Sequence, residues 1–229
     1  MAGIWARYNA ALTANPLKVK TLTSFFGFTL GDLIAQSPDM LSGNPWDYMR
    51  TARFSAFGLC IHGPIGHYWY QFLDRTVMTN APKSGLAVAT KTAIDQLLWA
   101  PIFTSIFFSF MKTVEGHPDQ VTEEVKTKLW PTMKVNWGVW PLAHLINFRF
   151  VPSSQRILYI NSVQIGYNTF LSTMAASKTK EEVFCEVCFL YRIFLELQHV
   201  HPIGWMNDLD IIPTLLVSCS VFLGCYRKL

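Results

Sequence analysis

Charge is scarce in this chain. Only 15% of its 229 residues are Asp, Glu, Lys or Arg, against roughly 25% in ordinary soluble domains. The 19 basic and 15 acidic side chains leave a net charge of +4 that is scattered along the sequence. That excludes the gathered basic patch on which nucleic-acid binding depends. Cysteine is sparse as well: five residues without a secretory leader fit a reducing or redox-neutral setting, not a disulfide scaffold. There is no G-x-G-x-x-G, P-loop, H-E-x-x-H or G-x-S-x-G. No nucleophile, base and orienting group stand together either. The expectation is a protein that is not an enzyme and takes no cofactor. No Pro/Ser-rich linker, low-complexity tract or internal repeat divides it.

What fills the chain is apolar sequence, 51% of all residues. The first 31 residues contain Arg7, Lys18 and Lys20 and no acid. Trp5, Tyr8 and Leu12 recur there at helical spacing, as in a short amphipathic helix on a membrane surface. Thr21–Leu41 is the first candidate span, with Gly27 and Gly31 as G-x-x-x-G and Asp32 and Gln36 on the opposite side. An acid inside a span is either a functional group or a salt-bridge partner. Phe54–Leu73 has no charge over twenty residues, enough to cross about 30 Å of hydrocarbon. Pro64 predicts a kink in it, and Trp69 and Tyr70 suit an interface. Ala89–Met111 is the third span. Lys91 and Asp95 stand four apart there, a spacing that allows an internal ion pair, and Gln96 and Pro101 follow. Residues 112–134 read as a polar loop carrying a short helix after Thr122.

The stretch Trp130–Ser172 is the most informative. A helix turns about 100° per residue, which puts Asn136, Trp137, Trp140, His144 and Asn147 within an arc of roughly 100°. Asn161, Gln164, Asn168 and Ser172 fall within roughly 80° of one another on the next helix. Pro131 is expected to start the first of these helices, Pro141 to kink it, and Pro152 to end the turn between them. Both carry an uncharged polar stripe on an otherwise greasy cylinder. In a bilayer such a stripe is interhelical glue or the lining of a wet cavity; in water it is a buried network. All three readings stay open at this point.

These residues also carry a resemblance. Asn136-Trp137-x-x-Trp140-Pro141, then Ile146-Asn147-Phe148, Val151-Pro152, Arg156, Asn161 and Asn168 through Ser172 resemble the signature of the Mpv-seventeen / twenty-two-kilodalton peroxisomal membrane protein family. Upstream, Gly31-Asp32 with Gln36, the pair Arg50 and Arg53, Gly63-Pro64, Trp69-Tyr70, Leu73-Asp74 and Asp95-Gln96 with Pro101 extend it. The resemblance implies an all-α, polytopic transmembrane helical bundle with four to five membrane-embedded helices. It also implies an organellar setting: the mitochondrial inner membrane, with the peroxisomal membrane as the alternative. The family's proposed activity is a weakly selective channel for small solutes, tied to metabolite and mitochondrial genome homeostasis and to stress response; a non-conducting scaffold or assembly factor is the competing function. Its partners would be the lipid bilayer, small solutes and further copies of the chain. The side chains to watch are Asp32, Gln36, Asp95, Gln96, Asn136, Trp137, Trp140, His144, Asn147, Arg156, Asn161, Gln164 and Asn168.

The resemblance stops at Ser172. The chain therefore divides into a membrane helical bundle over 1–177 and a divergent C-terminal extension over 178–229, which the bundle is expected not to need for folding. In the extension, Cys185-x-x-Cys188 with His199 and His201 has poor spacing for zinc. No metal site is expected.

Overall fold

A computed structural model describes residues 3–176, with side chains as far as Asn168. The extension over 178–229, with its cysteines and histidines, lies outside the described residues. Among the described residues the fold is all-helical, in six helices. They are α1 (Ile4–Ala14), α2 (Pro16–Leu41), α3 (residues 48–76), α4 (Gly85–Val114), α5 (Val121–Phe150) and α6 (Arg156–Ala176).

Proline shapes α3 and α4 in the same way. Pro64 and Pro101 have no N–H, so each leaves the carbonyl four residues earlier without its helical donor. The chain answers with one π turn before each proline, Gly58–His62 and Ile94–Trp99. There the Gly63 amide reaches the Gly58 carbonyl and the Ala100 amide the Asp95 carbonyl, five residues back. Both prolines therefore sit in continuous helices. α5 is likewise unbroken across Pro131 and Pro141, which corrects the expected loop over 112–134 and a helix start at Pro131. The carbonyl that Pro131 orphans belongs to exposed Thr127, where solvent can satisfy it. Glu123 and Glu124 in the first turn favour the helix dipole, and a Lys128–Glu124 pair at 2.6 Å braces the next.

α2 is the centre of the bundle. On one side Gly58 and Gly63 of α3 meet it so closely that a Cβ would lie 2.6 Å from the Ser24 carbonyl oxygen and 2.6 Å from Thr21 Cα. On the other, the G-x-x-x-G glycines receive the amides of α6. A Cβ on Gly27 would lie 2.8 Å from Asn161 Cβ, and one on Gly31 2.6 Å from Asn168 Nδ2. The small-residue stripe and the amide stripe, separate in the sequence, are two halves of one interface. Apolar clusters close the bundle: Phe28, Phe57 and Met111 towards one end, Leu73, Phe148 and Ile157 towards the other.

α1 does not lie free on a surface. It buries Leu12, its Tyr8 hydroxyl is 3.2 Å from Thr23 Oγ1 of α2, and Asn9 accepts a hydrogen bond from Gln155. α4 is the one described helix clearly long and apolar enough to cross a membrane. It presents Leu86, Leu97, Leu98 and Ile102 outward, Leu97 at 69% exposure. α2, α3 and α5 spend part of their length on charged and amide groups buried against one another, which lowers their apolarity.

Candidate functional site

α2, α3, α4, α5 and α6 enclose a cavity of about 650 Å³. Eight of the thirteen side chains singled out in the sequence line it: Asp32, Asp95, Gln96, Asn136, Trp140, His144, Gln164 and Asn168. Much of the remaining wall is aromatic, with Phe57, Trp69, Trp99, Phe103 and Phe107 prominent, and Asp39 and Arg50 add charge to it.

Three carboxylates lie in the wall; Asp39 is exposed, and the two buried ones, Asp32 and Asp95, are both held by protein donors. Asp32 is 1% exposed and takes Arg50 Nε at 2.9 Å on one oxygen. The other oxygen accepts from Gln36 Nε2 at 2.6 Å and from the Thr51 hydroxyl at 2.7 Å. Gln36 uses its own carbonyl to accept the Asp47 amide at 2.9 Å, so it fastens the end of α2 to the start of α3. Asp95 accepts the Trp69 indole N–H at 2.7 Å and the Gln96 amide at 2.9 Å, and lies 3.2 Å from His144 Nε2. That approach is attractive only with the imidazole proton on Nε2. Trp69 is thereby turned towards the bundle and stacked on Trp99 at 4.3 Å.

The ion pair allowed between Lys91 and Asp95 is not formed. The π turn begins at Ile94 and widens the helix there, turning Asp95 away from the lysine's face. Lys91, fully buried, instead bonds Asp74 at 2.7 Å, and Arg156 reaches the same carboxylate at 2.8 Å. No described Arg or Lys pairs with Asp95.

The other five side chains have different places. Trp137 donates from its indole to the Gln96 carbonyl at 3.2 Å, and Asn147 is wholly buried beside the Tyr70 phenol. Asn161 sits against Gly27 and donates to Ser24 Oγ at 3.3 Å. Gln36 and Arg156 brace carboxylates, as described. Asn168 has both roles: it packs on Gly31, lines the cavity and accepts from Gln164 at 2.8 Å.

Asp74 lies one residue past the charge-free run of α3. Burial pushes its carboxyl up, but hydrogen bonds from Lys91, Ser153 and Arg156 outweigh that and hold it below the usual carboxylate range. A carboxylate depressed in the folded state adds stability above its unfolded value, about 3.9, and loses it as pH falls through the folded one. Thermal unfolding in detergent should therefore show an acid limb below about pH 4. Asp74→Asn should remove that component while lowering stability at neutral pH; an unchanged limb would assign it to other groups. Lys20, just ahead of the first span, is held below the ordinary lysine range by burial and by the Arg156 guanidinium.

Missed in the sequence was the aromatic wall, although Trp99, Phe103 and Phe107 recur every fourth residue. Missed too was the meeting of Lys20, Asp74, Lys91 and Arg156, which no local spacing encodes. Among the described residues no group of His, Cys, Asp and Glu is placed to hold a metal.

A fold that is all-helical among the described residues, with an outward apolar helix and carboxylates paired in its interior, defines a class, the helical membrane proteins with a polar core. Comparison makes it particular. Residues 112–172 match the model of the Mpv17 / PMP22 family. Protein SYM1 of Gibberella zeae is 36% identical over 166 residues, covering 72% of this chain and 93% of that protein. Protein SYM1 of Saccharomyces cerevisiae is 36% identical over 170 residues, 72% of this chain and 86% of its own. PXMP2/4 family protein 3 of Dictyostelium discoideum is 34% identical over 171 residues, 75% of this chain and 90% of its own. No solved structure matches. The chain belongs to the Mpv17 / PMP22 family and is a membrane protein of an organelle, mitochondrial or peroxisomal.

Proposed function

We propose that the protein is a weakly selective, non-enzymatic channel for small solutes, with its path through the interhelical cavity. The observation that carries this reading is convergence: polar side chains from α2, α4, α5 and α6 open on one space of about 650 Å³. Its amides can replace part of a solute's lost hydration, and its aromatic wall slides past flat or apolar parts. Two of the three wall carboxylates are already held by protein donors, Asp32 by Arg50 and Asp95 by His144 and Trp69, and the third, Asp39, is exposed. The buried part of the path therefore carries little unpaired charge with which to discriminate strongly between ions. In this reading α2, α3, α5 and α6 cross the membrane beside α4. The membrane is the mitochondrial inner membrane, where solute flux would support metabolite and genome homeostasis and stress response; the peroxisomal membrane is the alternative.

A scaffold that conducts nothing is favoured by one observation. Asn161 is spent on the α2 interface, as glue, and does not face the cavity. The test therefore uses cavity residues. Purified protein in planar bilayers is expected to conduct small ions, and Asn136→Leu with Gln164→Leu to lower single-channel conductance severalfold without unfolding it. Asn161→Leu should act on stability instead. Silent bilayers containing folded protein would leave the scaffold.

A further inference from the structure

The helices run alternately up and down. The starts of α2, α4 and α6 and the ends of α3 and α5 thus share one end of the bundle. Contacts confirm it: Lys20 Nζ donates to the Ser153 carbonyl at 3.3 Å, Arg149 to the Lys83 carbonyl, and Lys91 and Arg156 to Asp74. Among the described residues, charge is divided unevenly between the two ends. At this end Asp74 is the single carboxylate. Around it stand Lys20, Lys91 and Arg156, and beyond these Arg7, Lys18, Arg75, Lys83 and Arg149. At the opposite end Asp39, Asp47, Glu115, Asp119, Glu123 and Glu124 balance Arg50, Arg53, Lys112, Lys126 and Lys128.

The inner cations are nearly dry. Lys20 and Arg156 are each 5% exposed and Lys91 is 0% exposed, yet one carboxylate serves all three. Arg156 Nε is buried with no partner. α6 begins at Arg156 with no acid in its first turn, so its free amides add positive potential at the same place. Buried cations short of anions are costly, and a bound anion relieves that cost.

We infer that this end of the bundle holds the phosphate of an anionic lipid headgroup, seated against Lys20, Arg156 and the first turn of α6. Arg75, exposed and next to Asp74 in sequence, forms its rim. A lipid is favoured over free phosphate by the apolar surface beside the cations. Trp5, Leu17 and Leu22 are exposed at 50%, 37% and 41% around the start of α2, where acyl chains can lie. Basic pockets between membrane helices bind phosphorylated headgroups on the same physical grounds.

The experiment follows thermal unfolding of the full chain in neutral detergent while phosphatidylglycerol, phosphatidylcholine of the same acyl chains, or inorganic phosphate is added. Phosphatidylglycerol is expected to raise the midpoint saturably, and phosphatidylcholine to do nothing. Arg75→Gln and Lys20→Gln should each weaken the apparent affinity about fivefold, and Lys128→Gln at the other end should leave it unchanged. Arg75 is a surface residue, so its variant reads binding even if Lys20→Gln folds poorly. Equal shifts by both lipids, or no dependence on Arg75, would overturn the site. An equal saturable shift by inorganic phosphate alone would overturn the lipid and leave an anion site.

Discussion

His144→Leu is expected to destabilise the bundle by about 1–3 kcal/mol, the cost of leaving a buried carboxylate one hydrogen-bond donor short. Asp95 is 2% exposed, and the imidazole at 3.2 Å is the basic group it meets. The indole of Trp69 and the amide of Gln96 stay in place but do not replace the donor lost at the oxygen that faces the imidazole. Replacing Asp95 and His144 together by leucine should recover most of the loss, because no buried carboxylate is then stranded. Equilibrium unfolding of the four proteins in a double-mutant cycle gives the coupling directly. The same cycle on Asp95 and Lys91 should give about zero, and on Asp74 and Lys91 a clear coupling. Strong coupling of Asp95 to Lys91 would mean the π turn is wrongly placed.

Gly63→Ala should cost about 1–3 kcal/mol or more, although alanine is the better helix former. The new methyl would stand 2.6 Å from Thr21 Cα, and backbone cannot rotate out of the way as a side chain can. α2 and α3 would have to separate, which also loosens Ser24 from His62, now 2.9 Å apart. Gly166→Ala in α6 meets nothing within 4 Å and should instead stabilise by about 0.5–1 kcal/mol. The pair tests close approach against propensity with one chemical change. Two substitutions of the same sign would refute the packing account.

Much of the site was legible because membrane helices confine their polar groups. A stripe such as Asn136, Trp140 and His144 has few places to go, and the cavity is one of them. The same pattern could not say which amides line space and which fill glycine gaps. Asn161 and Asn168 look alike on a helical wheel and both pack on an α2 glycine, yet only Asn168 also lines the cavity. The charge pairing was not legible. A four-residue spacing for Lys91 and Asp95 presumes a regular helix, and Asp74 finds Lys91 and Arg156 through tertiary packing alone. The family signature was a stronger guide to identity than any single residue was to role.

The π turns have a consequence for comparing this chain with others. Each is in effect one inserted residue absorbed without breaking the helix. Deleting one residue between Ile94 and Ala100 would let hydrogen bonding revert to the regular register, with the helix beyond still facing as it does now. Sequences that differ by one residue at this point can therefore present the same faces of the helix to the cavity, while an alignment without a gap would pair residues from different faces.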